Sequence, residues 1–249
     1  MKISGLVITY NEEKNIEACI KSLFKVCEDV VVIDSMSSDR TVDIAYRLGA
    51  KVYKQKFLGD GPQRSFGLKY CKNDWILNLD ADERLELNTI EKIKILDLDN
   101  THLECYEFKR KNYLHKNWIK VAGWYPDYVR RLFNKKKTDF SPVSTHTKIT
   151  SKKFIRLDNN ILHYSFDDYN NMIDIMNKYS SWQANEYYVS NRKVSFLSAV
   201  LHGWFSFFKS YVIKRGFLAG VEGFNISLLN GLGSYFKYMK LYEYNKLQK

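Results

Sequence analysis

Along the first hundred residues, apolar runs with the period of a strand alternate with apolar stripes at helical spacing. Ile3–Thr9 is a short apolar run and predicts a buried strand. Ile16, Cys19, Ile20, Leu23, Phe24 and Cys27 then recur on one helical face. Asn11 stands as a candidate N-cap, with Glu12 and Glu13 in the first turn, where the helix dipole favours carboxylates. Val30–Ile33 is a continuous β-branched strand ending at Asp34, followed by the turn SMSSDRT. A short helix puts Val42, Ala45 and Leu48 inward and stops at Gly49. Lys51–Gln55 reads as a strand, Arg64–Lys72 as a helix and Trp75–Leu79 as the next strand.

Buried strands separated by helices predict an α/β fold, with a Rossmann-like, doubly wound, mostly parallel sheet. In such sheets ligands bind beyond the carboxyl ends of the strands. Thr9–Asn11, Asp34 and Asp80–Asp82 all fall at such ends. From about Leu103 the chain becomes aromatic and basic, with strand-like pieces at Glu104–Lys109 and Tyr128–Phe133. From about Asp167 it is helical. The predicted division is a ligand-binding α/β half over 1–100, a second part of the same domain over 101–166, and a C-terminal helical region over 167–249.

Composition narrows the class. The chain has 249 residues, 45% hydrophobic and 27% charged, with three prolines, so it is folded rather than disordered. Its net charge of +11 favours an anionic partner: nucleic acid, a membrane surface or a phosphorylated substrate. Cys19, Cys27, Cys71 and Cys105 form no CxxC pair and read as buried thiols of a reducing compartment. The apolar part of MKISGLVITYNEE is too short for a signal peptide. The longest uncharged apolar stretches, Ser195–Phe208 and Gly223–Phe236, fall short of the roughly 18 residues that span a bilayer. The expectation is a cytoplasmic protein, soluble or bound at a surface.

The string ILNLDADERL puts Asp80, Asp82 and Glu83 directly after an apolar strand. Two aspartates at that spacing can turn toward a divalent cation such as Mg²⁺ or Mn²⁺, which takes oxygen ligands and shares them with phosphates. Asp82 and Glu83 equally suit the start of a helix near Leu85. No glycine-rich phosphate loop follows the first strand, so a bound nucleotide diphosphate needs a metal and side chains to neutralise it. Arg64, in GPQRSFGL, is a candidate for that, or a solvated arginine at a helix start.

VITYNEE (7–13), VVVIDSMSSDRT (30–41), GPQRSFGL (61–68) and LNLDADE (77–83), in that order and spacing, resemble the family 2 glycosyltransferases of GT-A fold. GWYPDYVRRLF (123–133), His163 in LHYSF and, more loosely, KRGFLAGVEGF (214–224) resemble the branch that adds a β-linked glucose to lipopolysaccharide inner cores. The resemblance implies an inverting, metal-dependent transfer of a hexose from a UDP-sugar, UDP-glucose foremost, to a lipid-linked saccharide. By position it puts Thr9, Tyr10, Glu12 and Asp34 at the nucleoside, with Asp34 on the uracil edge. Arg64 would face the diphosphate and Arg131 a phosphate. Asp80 would meet the ribose or the metal, Asp82 would be the principal metal ligand, and His163 would complete the metal shell or touch the diphosphate. Inversion needs a general base for the acceptor hydroxyl. Where relatives often carry His-Glu, this chain reads STHTKI with Thr147, so Asp127 is the preferred base and His146 the second.

Between Asp167 and the end, Trp182, Trp204, Phe205, Phe207 and Phe208 alternate with Lys193, Lys209, Lys214, Arg215, Lys237 and Lys240. Such a pattern suits a helix in the interface of an anionic membrane, and equally a stripe packed as core. No nucleic-acid motif or dense basic block is present, so nucleic acid is not expected as a partner. A peptide acceptor, or a non-catalytic module binding a membrane surface or another anion, are the competing functions.

Overall fold

The computed structural model describes residues 2–141 and 147–247. In chain order its elements are β1 (Ile3–Thr9), α1 (Ile16–Leu23), β2 (Asp29–Asp34), α2 (Thr41–Arg47), β3 (Lys51–Lys54), α3 (Asp60–Leu68), β4 (Trp75–Asp80), β5 (Glu83–Leu85) and α4 (Leu87–Lys94). There follow β6 (Cys105–Leu114), β7 (Asn117–Trp118), β8 (Asp127–Asn134), β9 (Phe154–Phe166), α5 (Tyr169–Val189), α6 (Phe196–Phe208) and α7 (Gly220–Lys246). A π-helical turn (Lys209–Ile213) and a 3-10 turn (Gly216–Ala219) lie between α6 and α7.

Side chains of β1 alternate between two faces, as the pleat requires. Ile3 and Val7 join Ile16, Ile20 and Leu23 of α1, Ile44 of α2 and Ile93 of α4 in one core. Leu6, with Val31, Ile33 and Ile76, packs on the other face beneath Phe66 and Leu68 of α3. The sheet is therefore doubly wound, as predicted. Its order is β3-β2-β1-β4-β8-β6-β9-β5, with β7 beside β6. The first four strands are parallel, whereas β4–β8, β6–β8, β6–β7 and β5–β9 are antiparallel. The sheet is mixed, parallel where helices alternate with strands.

The chain divides into two compact units: Met1–Arg110 with Asp127–His163, and Lys111–Pro126 with Tyr164–Lys249. The helical unit thus takes in 111–126 as well as the C-terminal region. Its core joins Leu114, Ile119 and Ala122 to Met172 and Ile226. Asp168 caps α5 by accepting from the Asn171 amide at 2.8 Å, and Ser195 caps α6 by accepting from Ser198 at 3.2 Å.

Several element ends differ from expectation. Asn11 is not a cap: it adopts φ of 53°, and α1 begins at Ile16 after Asn15. The first turn instead closes on the Glu12 carbonyl, which accepts from Ile16 N at 2.9 Å. Helix α3 starts at Asp60, four residues earlier than predicted, because Gly59 takes φ of 102° and Pro62 falls in the first turn, where a missing N–H costs nothing. The helix expected near Leu85 starts at Leu87 as α4, with Glu86 rather than Asp82 or Glu83 before its first turn, and β5 precedes it. All four cysteines are buried and free. Burial pushes the Cys71 and Cys105 thiols up to about 12. Among the described residues no helix is long and apolar enough to cross a membrane.

Candidate functional site

Strand register brings three polar ends level. Thr9 pairs with Asp34 across β1–β2, and Ile8 with Asp80 across β1–β4. Asp34 is fully buried; its carboxylate accepts from the Ser37 hydroxyl at 2.5 Å and the Ser37 amide at 3.0 Å. The loops after β1 and β2 are laced together. Asn11 N donates to Ser37 Oγ (2.9 Å), Ser38 N to Asn11 Oδ1 (2.8 Å) and Glu12 N to Thr41 Oγ1 (2.8 Å). The Glu12 carboxylate accepts from Asn15 at 3.0 Å, and Tyr10 stands 60% exposed at the rim.

Beside Asp34 the charges alternate. Arg64 Nη2 donates to Asp80 Oδ1 at 2.6 Å while its Nε holds Asp60 at 2.9 Å, one helical turn back in α3. Arg131 of β8 donates to Asp80 Oδ2 and to Glu83 Oε1, each at 2.6 Å. Arg110 of β6 reaches the same Glu83 oxygen at 3.1 Å and donates twice to Asp127 Oδ2, at 2.7 and 2.8 Å. Glu83 Oε2 accepts from the Asp80 amide at 3.1 Å. Burial pushes the Asp80 carboxyl up, but Arg131 and Arg64 outweigh it and hold the group well below the usual carboxylate range. Burial likewise opposes the charge on Arg131, and Asp80 and Glu83 more than restore it. Buried ion pairs of this kind roughly repay their desolvation, so their yield is a fixed geometry rather than net stability.

Asp82 follows a different course. Its carboxylate lies 3.2 Å from His163 Nε2, in line with the β5–β9 pairing of Glu83 with His163. The two aspartates of the DAD string are thus parted, Asp80 into an arginine clamp and Asp82 to a histidine. Among the described residues no group of three acidic, histidine or cysteine side chains stands ready for a metal. The expected triple set of Asp80, Asp82 and His163 is therefore not assembled, because both Asp80 oxygens already bind arginine. Asp82 and His163 remain a carboxylate–imidazole pair that fits a hard cation completed by phosphate oxygens and water.

Other polar atoms are poised for a ligand. Thr9 Oγ1, Arg64 Nη1, Arg131 Nε and the Asn78 amide are buried without a hydrogen-bond partner among the described residues. Buried donors and acceptors are rarely left so, and those near a strand-end crevice suit a bound anion. Arg64 and Arg131, expected at phosphates, are first of all Asp80's partners. In the sequence Glu83 shows only as the third acid of the strand end, suited to a helix start. It carries no local signal of burial, because its arginines come from β6 and β8. His146 lies outside the described residues.

Residues 4–160 match the family described as Glycosyl transferase family 2. An uncharacterized glycosyltransferase of Rickettsia bellii (strain RML369-C) is 33% identical, over 97% of this chain and 86% of that relative. The lipopolysaccharide core biosynthesis glycosyltransferase LpsC of Rhizobium meliloti (strain 1021) is 24% identical, over 100% of this chain and 94% of LpsC. Among solved structures, S. aureus TarS 1–349 in complex with UDP matches with a TM-score of 0.48 and 17% identity, covering 100% of this chain and 92% of that one.

Proposed function

Since the chain belongs to glycosyltransferase family 2 and is a sugar-transferring enzyme, we propose that it moves a hexose, with inversion, from a UDP-sugar to a lipid-linked saccharide. What carries this is the convergence of Thr9, Asp34 and Asp80 at register-matched strand ends, with the Asp82–His163 pair beside them. Asp34, held rigid by Ser37, would accept from the uracil N–H. Thr9 Oγ1 and Arg64 Nη1 would satisfy their open valences on the nucleotide. Asp82 and His163 would hold a divalent cation, which when bound supplies positive charge against the leaving diphosphate. Asp127, oriented by its two bonds from Arg110, would take the proton of the acceptor hydroxyl.

Glucose remains the first donor to try, and the likeness to LpsC over 94% of its length supports a lipid-linked saccharide as acceptor. The alternative of a bare binding module is set aside by the family. A peptide acceptor has no observation in its favour.

UDP release from a panel of UDP-sugars, with Mn²⁺ or with EDTA, tests the proposal. Metal-dependent release from one sugar is expected, and Asp82→Ala should lower it by about 100-fold or more. Equal release in EDTA, or an Asp82→Ala protein as active as wild type, would overturn the metal role. No release from any UDP-sugar would overturn the donor assignment.

A further inference from the structure

Helix α6 is built inside out. Its small residues Ala199 and Gly203 are buried, while Phe196, Leu197, Leu201, Trp204 and Phe205 are each more than half exposed, Trp204 at 62%. The close approach to α7 requires this. A Cβ on Gly203 would lie 2.8 Å from Tyr235 Cβ and 3.2 Å from the Gly231 carbonyl oxygen, and one on Gly231 would lie 3.0 Å from Phe207 Cβ. Small residues turned inward and large apolar ones outward are the arrangement of helices whose outer solvent is lipid. In water the hydrophobic effect would favour the reverse.

The apolar face continues past the helix through Val212, Ile213, Phe217 and Leu218, all exposed. From Tyr187 to Val221 the chain carries Arg192, Lys193, Lys209, Lys214 and Arg215 and no carboxylate. Lys209, Lys214 and Arg215 are exposed, and among the described residues none of them has an ion-pair partner. Lys214, Arg215 and Lys120 also line a shallow basin of about 480 Å³ with Tyr125.

We propose that the helical unit docks on an anionic lipid bilayer through this face. Helix α6 lies in the plane of the interface with Leu201 and Trp204 among the acyl chains, and the cations at its two ends meet lipid phosphates. The inference deepens, and for its biological purpose rests on, the lipid-linked acceptor proposed above. The 13 residues of α6 are too few to span the hydrocarbon, so the helix lies on the membrane rather than across it. A symmetric dimer through the same face would set cations against cations with no carboxylate between them. A nucleic acid would need cations within the stripe, and α6 has no charged residue.

Cosedimentation of the full chain with vesicles of phosphatidylcholine, with or without one-third phosphatidylglycerol, tests this. Binding is expected to the anionic vesicles and to weaken with salt. Joint replacement Lys214→Ala and Arg215→Ala should lower partition about 30-fold, from roughly 1 kcal/mol per cation. Leu201→Asp with Trp204→Asp should abolish binding while helicity by circular dichroism and affinity for UDP stay at wild type. Wild-type protein that stays in the supernatant, or an undiminished Leu201→Asp, Trp204→Asp variant, would overturn the proposal. So would a lipid-free dimer in light scattering that this variant dissolves, which would assign the face to a second copy. UDP-sugar hydrolysis in the same preparations separates the two readings. Hydrolysis without vesicle binding defeats the docking surface alone, and vesicle binding without hydrolysis defeats the donor assignment alone.

Discussion

Asp80 has one arginine on each carboxylate oxygen, and Glu83 has two arginines on one. Removing any member of such a buried set leaves its partners desolvated and unpaired, which costs more than the pair contributes. The set also responds to acid. Folded Asp80 is held below the usual range, so the unfolded chain, where an aspartate titrates at about 3.9, takes up the proton first. Its contribution is complete above that value and is lost as pH falls through the folded one. The urea midpoint of the wild type should therefore fall as pH drops from about 5 to about 3. Asp80→Asn, already weakened at pH 7, should fall less, so the two curves converge at low pH; parallel curves would contradict the linkage. At this scale the sequence showed the acids at a strand end. It could not show that Asp80 and Asp82 part company, because the arginines that separate them come from α3 and β8.

Helix α3 shows how one element places a site residue. It must lie close enough to the sheet for Arg64 to reach the end of β4, and Gly67 permits that. A Cβ there would lie 2.5 Å from Leu6 Cδ1 and 2.9 Å from Ile33 Cγ1. Gly67→Val, which gains little in helix propensity, should cost about 1–3 kcal/mol through overpacking. A thermal melt should show a loss of several degrees, and Tm unchanged would mean the helix can lift without penalty. Here the apolar period placed α2 and the parallel strands close to their true limits, whereas α1 is shorter than its stripe and runs only from Ile16 to Leu23. The period failed at β5, where three residues carry two charges yet Glu83 and Leu85 are both buried. Propensity cannot foresee a strand whose polar residue is neutralised from elsewhere.

Over the whole molecule, the strand-end cluster belongs to one compact unit and the apolar, basic face to the other. The two should be separable by mutation. Leu201→Asp with Trp204→Asp should leave UDP affinity intact, and Asp82→Ala should leave vesicle partition intact, as read by titration of UDP and by cosedimentation. Loss of both properties in either variant would show a common folding defect instead. What the sequence alone determined is the α/β class, the doubly wound half-sheet and the line of strand ends, because burial period and chain direction are local properties of the chain. The four motifs in order also revealed the family. The tertiary structure alone decided which acids are spent on arginines and which one faces a histidine. It also decided which side of α6 is outside, a helix so apolar that its composition admits either side as core. Both outcomes depend on partners far apart in sequence, and desolvation and close packing are settled only when those partners meet.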